Sequence, residues 1–215
     1  MDKIKFKSLR FSKVFCIVFI LSALVLPGVS LANTIIFEDD FNSENGGAYM
    51  LNYNSFSKWT VSDGTVDLKG NGGPWDVYPG NGLYVDLDGS TRNAGTMTTT
   101  PDLFLGAGDY NLSFDLGGNA RGGAPDMLVV SVLLPGTYSE FFFLPSSSPL
   151  TTITRTFTVT SGASTALAFN HMGGDNVGMI LDNVSLSTVP EPSSLILLGI
   201  ALLGALTYQR KINIE

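Results

Sequence analysis

Polar and apolar residues alternate with a period of two through the middle of the chain, and this limits the fold more than any other feature. Residues 109–116 alternate over eight positions, and residues 153–159 and 165–169 follow the same pattern. Such a period places alternate side chains on opposite faces of a strand, so that one face is buried. Clusters of Gly, Asn, Asp and Pro separate the segments, and no convincing helical period occurs before residue 193. The pattern therefore predicts an all-β domain.

About ten antiparallel strands are expected in this domain. Besides the three segments above, they are predicted at residues 34–41, 59–68, 83–88, 94–100, 126–134, 138–144 and 177–187. Strands that are spaced evenly over such a length favour two packed sheets. We therefore expect a jelly-roll β-sandwich, with a signal helix before it and a transmembrane helix after it.

The first 32 residues have the three parts of a secretory signal peptide. A basic segment is followed by an apolar segment at residues 14–26, and Ser30, Leu31 and Ala32 form a small-x-small cleavage site. We expect the mature chain to begin at Asn33. Cys16 is the only cysteine and lies within this leader. The mature domain is therefore expected to have no disulfide and no thiol chemistry.

A second targeting segment occupies residues 189–215. Its marked positions are Val189, Pro190, Glu191 and Pro192, and the basic pair Arg210 and Lys211. Between them, residues 193–209 are predicted to form a transmembrane helix, because the segment is apolar on all sides except at Thr207. The run from 193 to 208 is somewhat shorter than the ~20 residues that usually span a bilayer. The basic pair favours a cytoplasmic C-terminus.

These three parts, in this order, closely resemble the PEP-CTERM sorting tail of Gram-negative bacteria that make extracellular polysaccharide. The resemblance covers about the last 27 residues. It implies that an exosortase is a partner and acts near residues 190–192. It also implies export through the inner membrane to the cell envelope or the extracellular space, with transient or stable membrane anchoring through the terminal helix.

Residues 33–188, between the two targeting segments, are strongly acidic. They contain 16 Asp and Glu residues against 5 Lys and Arg residues, a net charge of −11. Nucleic acids and anionic membrane surfaces bind clustered basic residues, so neither is an expected partner of this segment. Neutral sugars and divalent cations are compatible with the charge. The length of about 156 residues suits one domain with a single core.

Short motifs at both ends of this segment resemble the galactose-binding-like jelly rolls of carbohydrate-binding modules. They are I-F-E-D-D-F at 36–41, W-T-V at 59–61 and I-L-D-N-V-S-L at 180–186. The resemblance implies that the first and last strands pair, and that an acidic residue of the last strand helps to hold a structural calcium. Asp182 takes that position, with Glu38 and Asp40 as companions and backbone carbonyls completing the site. Alternatively, Asp182 only accepts hydrogen bonds at a sheet end.

Two Gly-rich loops contain the expected ligand contacts. Residues 71–82 include Trp75 and Tyr78, whose rings offer a platform for the C–H faces of sugars. Residues 117–123 include Asn119 and Arg121, which are suited to bind a hydroxyl or a carboxylate. The alternatives are that both rings plug an end of the sandwich and that Arg121 is a solvated charge.

Catalysis is not expected. His171 is the only histidine, which excludes a His-rich metal site, and no G-x-S-x-G motif occurs. A glycoside hydrolase, the leading enzymatic alternative, needs two carboxylates ~5 to 9.5 Å apart, which sequence spacing does not define. We therefore expect an exported polysaccharide-binding protein, with a structural extracellular-matrix protein that binds no ligand as the second interpretation.

Overall fold

A computed structural model describes residues 33–190 and 193–212. The signal peptide predicted at residues 1–32 lies outside the described residues. Residues 33–189 form one compact unit, and the C-terminal segment belongs to a second unit that is described separately below. The strands of the first unit are β1 (Ile35–Asp39), β2 (Trp59–Ser62), β3 (Asp67–Gly70), β4 (Leu83–Asp86), β5 (Thr96–Thr99), β6 (Leu103–Leu105), β7 (Gly108–Gly117), β8 (Asp126–Val132), β9 (Tyr138–Leu144), β10 (Thr151–Val159), β11 (Ala163–Thr165), β12 (Leu167–His171) and β13 (Ile180–Thr188).

Two antiparallel sheets form the sandwich, which confirms the all-β prediction. Sheet A has six strands, in the order β10-β7-β13-β4-β3 with β1 also paired to β13. Sheet B has five strands, in the order β2-β5-β12-β8-β9, and β11 pairs with β6 in a small separate ribbon. The first and last strands pair antiparallel, as expected, with Glu38 opposite Ser185.

The core lies between the inner faces of sheets A and B. Trp59 from β2 is 2% exposed, and its ring lies edge-on to Phe37 at 5.2 Å and to Phe169 at 5.8 Å between centroids. Phe114 from β7 meets Phe169 at 5.3 Å in the same edge-on geometry. The buried hydrophobic cluster draws its residues from nearly the whole domain, from Phe37 in β1 to Leu186 in β13. Residues 33–189 therefore contain a complete hydrophobic core and are expected to fold without the targeting segments.

One predicted strand proves to be two strands in different sheets. Residues 59–68 were expected to be continuous, but β2 belongs to sheet B and β3 to sheet A. The chain turns between them at Asp63, whose φ is +63°, and at Gly64. A Cβ on Gly64 would lie 2.3 Å from the carbonyl oxygen of Ala94, so only glycine fits this approach. Strands β6 and β11 are short, and periodicity alone did not predict β6.

The C-terminal helix α1 spans Ser193–Ile212. Within residues 33–190 and 193–212, no helix is both long enough and apolar enough to cross a membrane. The transmembrane helix predicted at residues 193–209 is therefore not supported.

Candidate functional site

The outward face of sheet B carries no charged side chain in its strands. Antiparallel register aligns its residues in rows, so that Thr60, Thr98 and Ser131 share one row and Thr96 and Asn170 share the next. We call this surface the outer face of sheet B; it consists of Thr60, Ser62, Thr96, Thr98, Met127, Val129, Ser131, Ser139, Phe141, Phe143, Ala168 and Asn170. The charged or titratable residues of these strands, Asp126, Glu140 and His171, occupy the opposite set of positions. Five strands make this face about 19 Å wide.

Most hydroxyl groups on the outer face of sheet B are available to a ligand. In the part of the chain that the structure describes, the side chains of Thr60, Thr96, Thr98, Ser131 and Ser139 form no hydrogen bond with another residue. Ser62 donates to Asp63 at 3.3 Å. A hydroxyl carries one donor and two acceptor sites, so the face offers both functions without competition from neighbouring side chains.

The outward face of sheet A differs along β10, because the threonine hydroxyls of that strand are already paired. Along β10, Thr156 donates to Asn111 at 2.7 Å and Thr158 donates to Asp109 at 2.6 Å, both on β7. Thr152 donates in the same way to Asp115 at 2.5 Å. The two carboxylates also make this face acidic, so the two outer faces of the sandwich differ in both hydrogen bonding and charge.

An aromatic pair lines one side of the outer face of sheet B. Phe141 and Phe143 on β9 are 72% and 63% exposed. Val129 and Met127 on β8 lie directly opposite them in the register. Phe142, between the two exposed rings, is buried in the core. The sequence alone did not predict this surface, because the strand order that aligns its rows is set by long-range pairing. The alternation at 138–144 separates only Phe142 from its neighbours.

The two Gly-rich loops that were singled out from the sequence lie next to each other. The Arg121 guanidinium is 5.8 Å from the centre of the Trp75 ring. Trp75 is 65% exposed and has a φ of +63°, a left-handed conformation that is unfavourable for a bulky side chain. Trp75 therefore presents an aromatic face to solvent and is held in a strained backbone conformation.

The other three predicted ligand-binding residues hold the loops together. The Tyr78 hydroxyl lies 2.7 Å from the Gly118 carbonyl oxygen and 3.0 Å from that of Ser148. Asn119 is buried, accepts a hydrogen bond from the Arg121 backbone N–H at 2.8 Å and donates to Asp126 at 3.1 Å. The hydroxyl of Tyr78 is thus engaged within the fold, whereas the ring of Trp75 is exposed, and ligand binding by these residues stays a prediction.

A buried charge network lies beneath the loops. Arg121 donates to Oδ2 of Asp86 at 2.9 Å, and Lys69 Nζ lies 3.4 Å from the same oxygen. Burial raises the pKa of Asp86 to about 7, although both cations oppose the shift. Burial also raises the pKa of Asp126 to about 6 and lowers the pKa of His171 to about 4. His171 accepts a hydrogen bond from Met179 N–H at 3.2 Å, which indicates a neutral, structural imidazole.

The three residues predicted to hold calcium lie near β1 and β13. Glu38 and Asp40 line a surface cavity of about 430 Å³ that also includes Asn183. Asp182 is buried, and burial raises its pKa to about 7, with smaller contributions from neighbouring carboxylates. Among residues 33–190 and 193–212, no group of three or more His, Cys, Asp or Glu side chains is arranged to hold a metal ion. Backbone carbonyl oxygens would have to complete a calcium site here.

The sorting residues are only partly described. Val189 N–H donates to the Asp109 carbonyl at 2.8 Å, directly after β13. Glu191 and Pro192 lie outside the described residues. Arg210 and Lys211 belong to the last turns of α1.

Several solved structures of carbohydrate-binding modules are similar to this chain. The CBM22-1 and GH10 modules of Clostridium thermocellum endo-1,4-beta-D-xylanase 10B, complexed with xylohexaose, have 13% identity and a TM-score of 0.46; the match covers 74% of this chain and 29% of that chain. A module from Cellvibrio mixtus lichenase 5A in complex with cellotriose has 13% identity, a TM-score of 0.38, and coverage of 73% and 99%. The C-terminal CBM6 of a marine laminarinase from Zobellia galactanivorans has 13% identity, a TM-score of 0.41, and coverage of 66% and 100%.

No curated protein matches the sequence. The family model described as the PEP-CTERM protein-sorting motif matches residues 188–211. This range contains the Pro-bounded acidic motif, the apolar helix and the basic pair that were read from the sequence. The chain therefore carries a PEP-CTERM protein-sorting motif at its C-terminal end.

Proposed function

We propose that this protein is exported, processed by an exosortase at its sorting motif, and binds neutral polysaccharide through the outer face of sheet B. The absence of charged side chains from the strands of that face carries the proposal. In a segment whose net charge is −11, an uncharged surface about 19 Å wide suits a partner that is itself uncharged and polar. The extracellular polysaccharide of the producing cell is the proposed ligand.

The chemistry of the face matches that of a sugar chain. Sugars present hydroxyl groups around the ring edge and C–H groups on the ring faces. Unpaired hydroxyls at Thr96 and Thr98 can exchange hydrogen bonds with the former, and the exposed rings of Phe141 and Phe143 can pack against the latter. The paired hydroxyls of sheet A would have to break existing hydrogen bonds first, which makes that face a poor binding surface.

Trp75 supports a second binding position on the same domain. Its exposed ring and its φ of +63° mean that the fold maintains an aromatic side chain in an unfavourable backbone conformation at a loop tip. A sugar ring could stack on this face while Arg121 stays engaged with Asp86. We assign no catalytic step to either position, and we expect the protein to bind polysaccharide without hydrolysing it.

Retention of residues 33–189 in gels that contain the host's exopolysaccharide, or a neutral β-glucan, tests the proposal. The variant carrying Thr96→Val and Thr98→Val removes two hydroxyls from the middle of the face and keeps the side-chain shape. We expect the dissociation constant to rise roughly 5- to 150-fold, because each of the two lost hydrogen bonds contributes about 0.5 to 1.5 kcal/mol.

The matched control carries Thr154→Val and Thr156→Val on the outward face of sheet A. It should be retained like the wild type. Equal retention of the sheet B variant and the wild type would show that the face is not the binding surface. The Trp75→Ala variant would then decide whether the loop binds instead. No retention of the wild type on either polysaccharide would contradict the proposed function and favour a structural matrix protein.

A further inference from the structure

The backbone around the exposed ring of Trp75 is tied to the interior of the domain. The φ of +63° at Trp75 has to be maintained by its surroundings. The next residue, Asp76, accepts hydrogen bonds from the Gly72 N–H at 2.9 Å and from the Tyr84 hydroxyl at 2.9 Å. Tyr84 is fully buried in β4, and its hydroxyl also accepts the backbone N–H of Val77 at 2.7 Å. These bonds fix the loop tip, but none of them involves the indole ring.

The ring itself is in contact with Arg121. The guanidinium lies 5.8 Å from the ring centre, within the ~6 Å at which a cation is attracted to an aromatic face. Nη2 of Arg121 donates to Oδ2 of Asp86 at 2.9 Å and to the carbonyl oxygen of Asn176 at 2.9 Å. This nitrogen has two N–H groups, and both are therefore engaged. The two bonds fix the plane of the guanidinium next to the indole.

Asp86 is the buried end of this arrangement. Its side chain is 1% exposed, and Oδ1 accepts the backbone N–H of Gly178 at 2.9 Å and that of Asp88 at 3.2 Å. A Cβ on Gly178 would lie 2.9 Å from the same oxygen, so the backbone approaches the carboxylate closely. The carboxylate is thus held in one orientation, with Oδ2 directed to Arg121.

We propose that Asp86 is a positioning residue for Trp75: it holds the Arg121 guanidinium against the indole ring and releases the ring when it takes up a proton. The inference rests on the loop binding position in the proposed function. A ring that is ordered before binding loses less conformational entropy when a sugar stacks on it. Neutral Asp86 keeps an acceptor oxygen but loses the charge that strengthens the bond. Arg121 is 22% exposed, so water then competes for its guanidinium.

The ionisation of Asp86 changes in an accessible pH range. Burial raises its pKa to about 7, although Lys69 and Arg121 oppose the shift. Its carboxylate is therefore charged above about pH 7 and neutral below it. Among the described residues, Asp86 is the carboxylate that forms an ion pair with Arg121. The other charged or titratable groups around Asp86 and Arg121 are Asp67 and Lys69 from β3, Asp88 after β4, Asp126 from β8, His171 from β12 and Asp175 in the following loop.

Time-resolved fluorescence anisotropy of residues 33–189, measured without polysaccharide, tests the inference. Trp59 and Trp75 are the two tryptophans of the chain, so the decay of Trp75→Phe gives the signal of Trp59 to be subtracted. We expect the fast local motion of the Trp75 ring to increase as the pH falls from about 8 to about 6. Asp86→Asn keeps the shape and an acceptor oxygen without the charge. Its Trp75 ring should be mobile at both pH values.

The matched control is Asp126→Asn. Asp126 is also a buried carboxylate, whose pKa burial raises to about 6, but it bonds to Asn119 and not to the guanidinium. This variant should keep the pH dependence of the wild type. Arg121→Met removes the cation from a partly exposed site and should leave the ring mobile at both pH values. Far-UV circular dichroism should show that each variant is folded.

Three results would overturn the inference. The first is a wild-type ring whose motion is the same at both pH values. The second is a folded Asp86→Asn or Arg121→Met variant whose ring is as ordered as in the wild type at the higher pH. The third is an equal loss of ring order in Asp86→Asn and Asp126→Asn, because the loops would then respond to any change in the buried acids. If Asp86→Asn does not fold, Arg121→Met alone decides.

Polysaccharide retention at the same two pH values separates this inference from the proposed function. We expect the dissociation constant of the wild type to rise roughly 2- to 12-fold at the lower pH, as one side chain has to be ordered on binding. The Trp75→Ala variant should show no such rise. A ring that titrates in a protein that is not retained supports the positioning role and contradicts the glycan proposal. Retention with a ring that does not titrate shows the reverse.

Discussion

The indole Nε1 of Trp59 donates a 2.7 Å hydrogen bond to Oδ2 of Asp39. Trp59 belongs to β2 in sheet B and Asp39 to β1 in sheet A, so this bond joins the two sheets across the core. The other carboxylate oxygen accepts the backbone N–H of Phe41 at 3.1 Å. Burial raises the pKa of Asp39, and the hydrogen bond from Trp59 is the largest contribution that opposes the shift.

We predict that Trp59→Phe lowers the free energy of unfolding of residues 33–189 by about 3 kcal/mol. The change leaves a carboxylate oxygen without its buried donor and also reduces the volume of the core. Urea denaturation followed by far-UV circular dichroism measures the effect. Trp75→Phe, in the exposed loop, is the control and should change stability by less than ~0.5 kcal/mol. Similar losses in the two variants would mean that the bond to Asp39 contributes little.

Sequence periodicity predicted the sheets well because a period of two depends on local burial. The strands at 109–116, 138–144 and 153–159 correspond closely to β7, β9 and β10. The same pattern did not predict the sheet order, which depends on pairing between distant segments such as β5 and β12. Most residues of the outer face of sheet B are small and polar, and they form a recognisable surface only because the strand register aligns them.

For the loop site, too, the sequence predicted the local features and not the long-range contacts. The richness of residues 71–82 in Gly and Pro correctly indicated an irregular loop, but it left open whether Trp75 is exposed there or buried. The partners of Tyr78 could not be foreseen, because Gly118 and Ser148 are 40 and 70 residues away in the chain. A Cβ on Gly118 would lie 2.3 Å from the Ser146 carbonyl oxygen, so this contact between loops requires glycine.

Asp182 should make the domain less stable as the pH rises towards neutrality. Its pKa is raised from 3.8 to about 7, so between these values the folded state binds more protons than the unfolded state. The contribution of Asp182 to the free energy of unfolding is therefore fully present below about pH 4 and is lost as the pH rises through about 7. Asp182→Asn removes this dependence.

The test compares the urea stability of Asp182→Asn and the wild type at several pH values. We expect the variant to gain stability relative to the wild type as the pH rises, with a difference on the order of 1 to 3 kcal/mol above pH 7. The comparison cancels the opposing contribution of His171, whose lowered pKa makes stability rise with pH over its own range. Parallel stability curves would contradict the assignment of a raised pKa to Asp182.

We predict that calcium stabilises the wild-type domain through Asp182. The nearby carboxylates of Asp39, Asp40 and Asp115 raise the pKa of Asp182 by repulsion, and a bound cation would offset this repulsion. Calcium at ~1 mM should raise the melting temperature relative to chelator, with a gain of about 2.7 kcal/mol if this concentration is 100 times the dissociation constant. Asp182→Asn should melt at the same temperature in both conditions. Identical melting of the wild type with and without chelator would exclude a structural calcium.

The Tyr78 hydroxyl provides the clearest separation between a structural residue and a ligand contact. It donates towards the carbonyl oxygens of Gly118 and Ser148 at 2.7 and 3.0 Å, and burial raises its pKa. Tyr78→Phe keeps the ring and removes only these contacts. We expect the free energy of unfolding to fall by about 1 to 3 kcal/mol, because the carbonyl oxygen of the buried Gly118 loses its donor.

Polysaccharide retention of Tyr78→Phe should equal that of the wild type wherever both proteins are folded. Tyr49→Phe is the matched control, since Tyr49 is 44% exposed and should change neither stability nor retention. Weaker retention of Tyr78→Phe without a loss of stability would show that its hydroxyl contacts the ligand. In that case the loops would be the binding site. A residue that only closes the end of the sandwich affects binding through the stability of the fold, so its replacement should not weaken binding while the fold is intact.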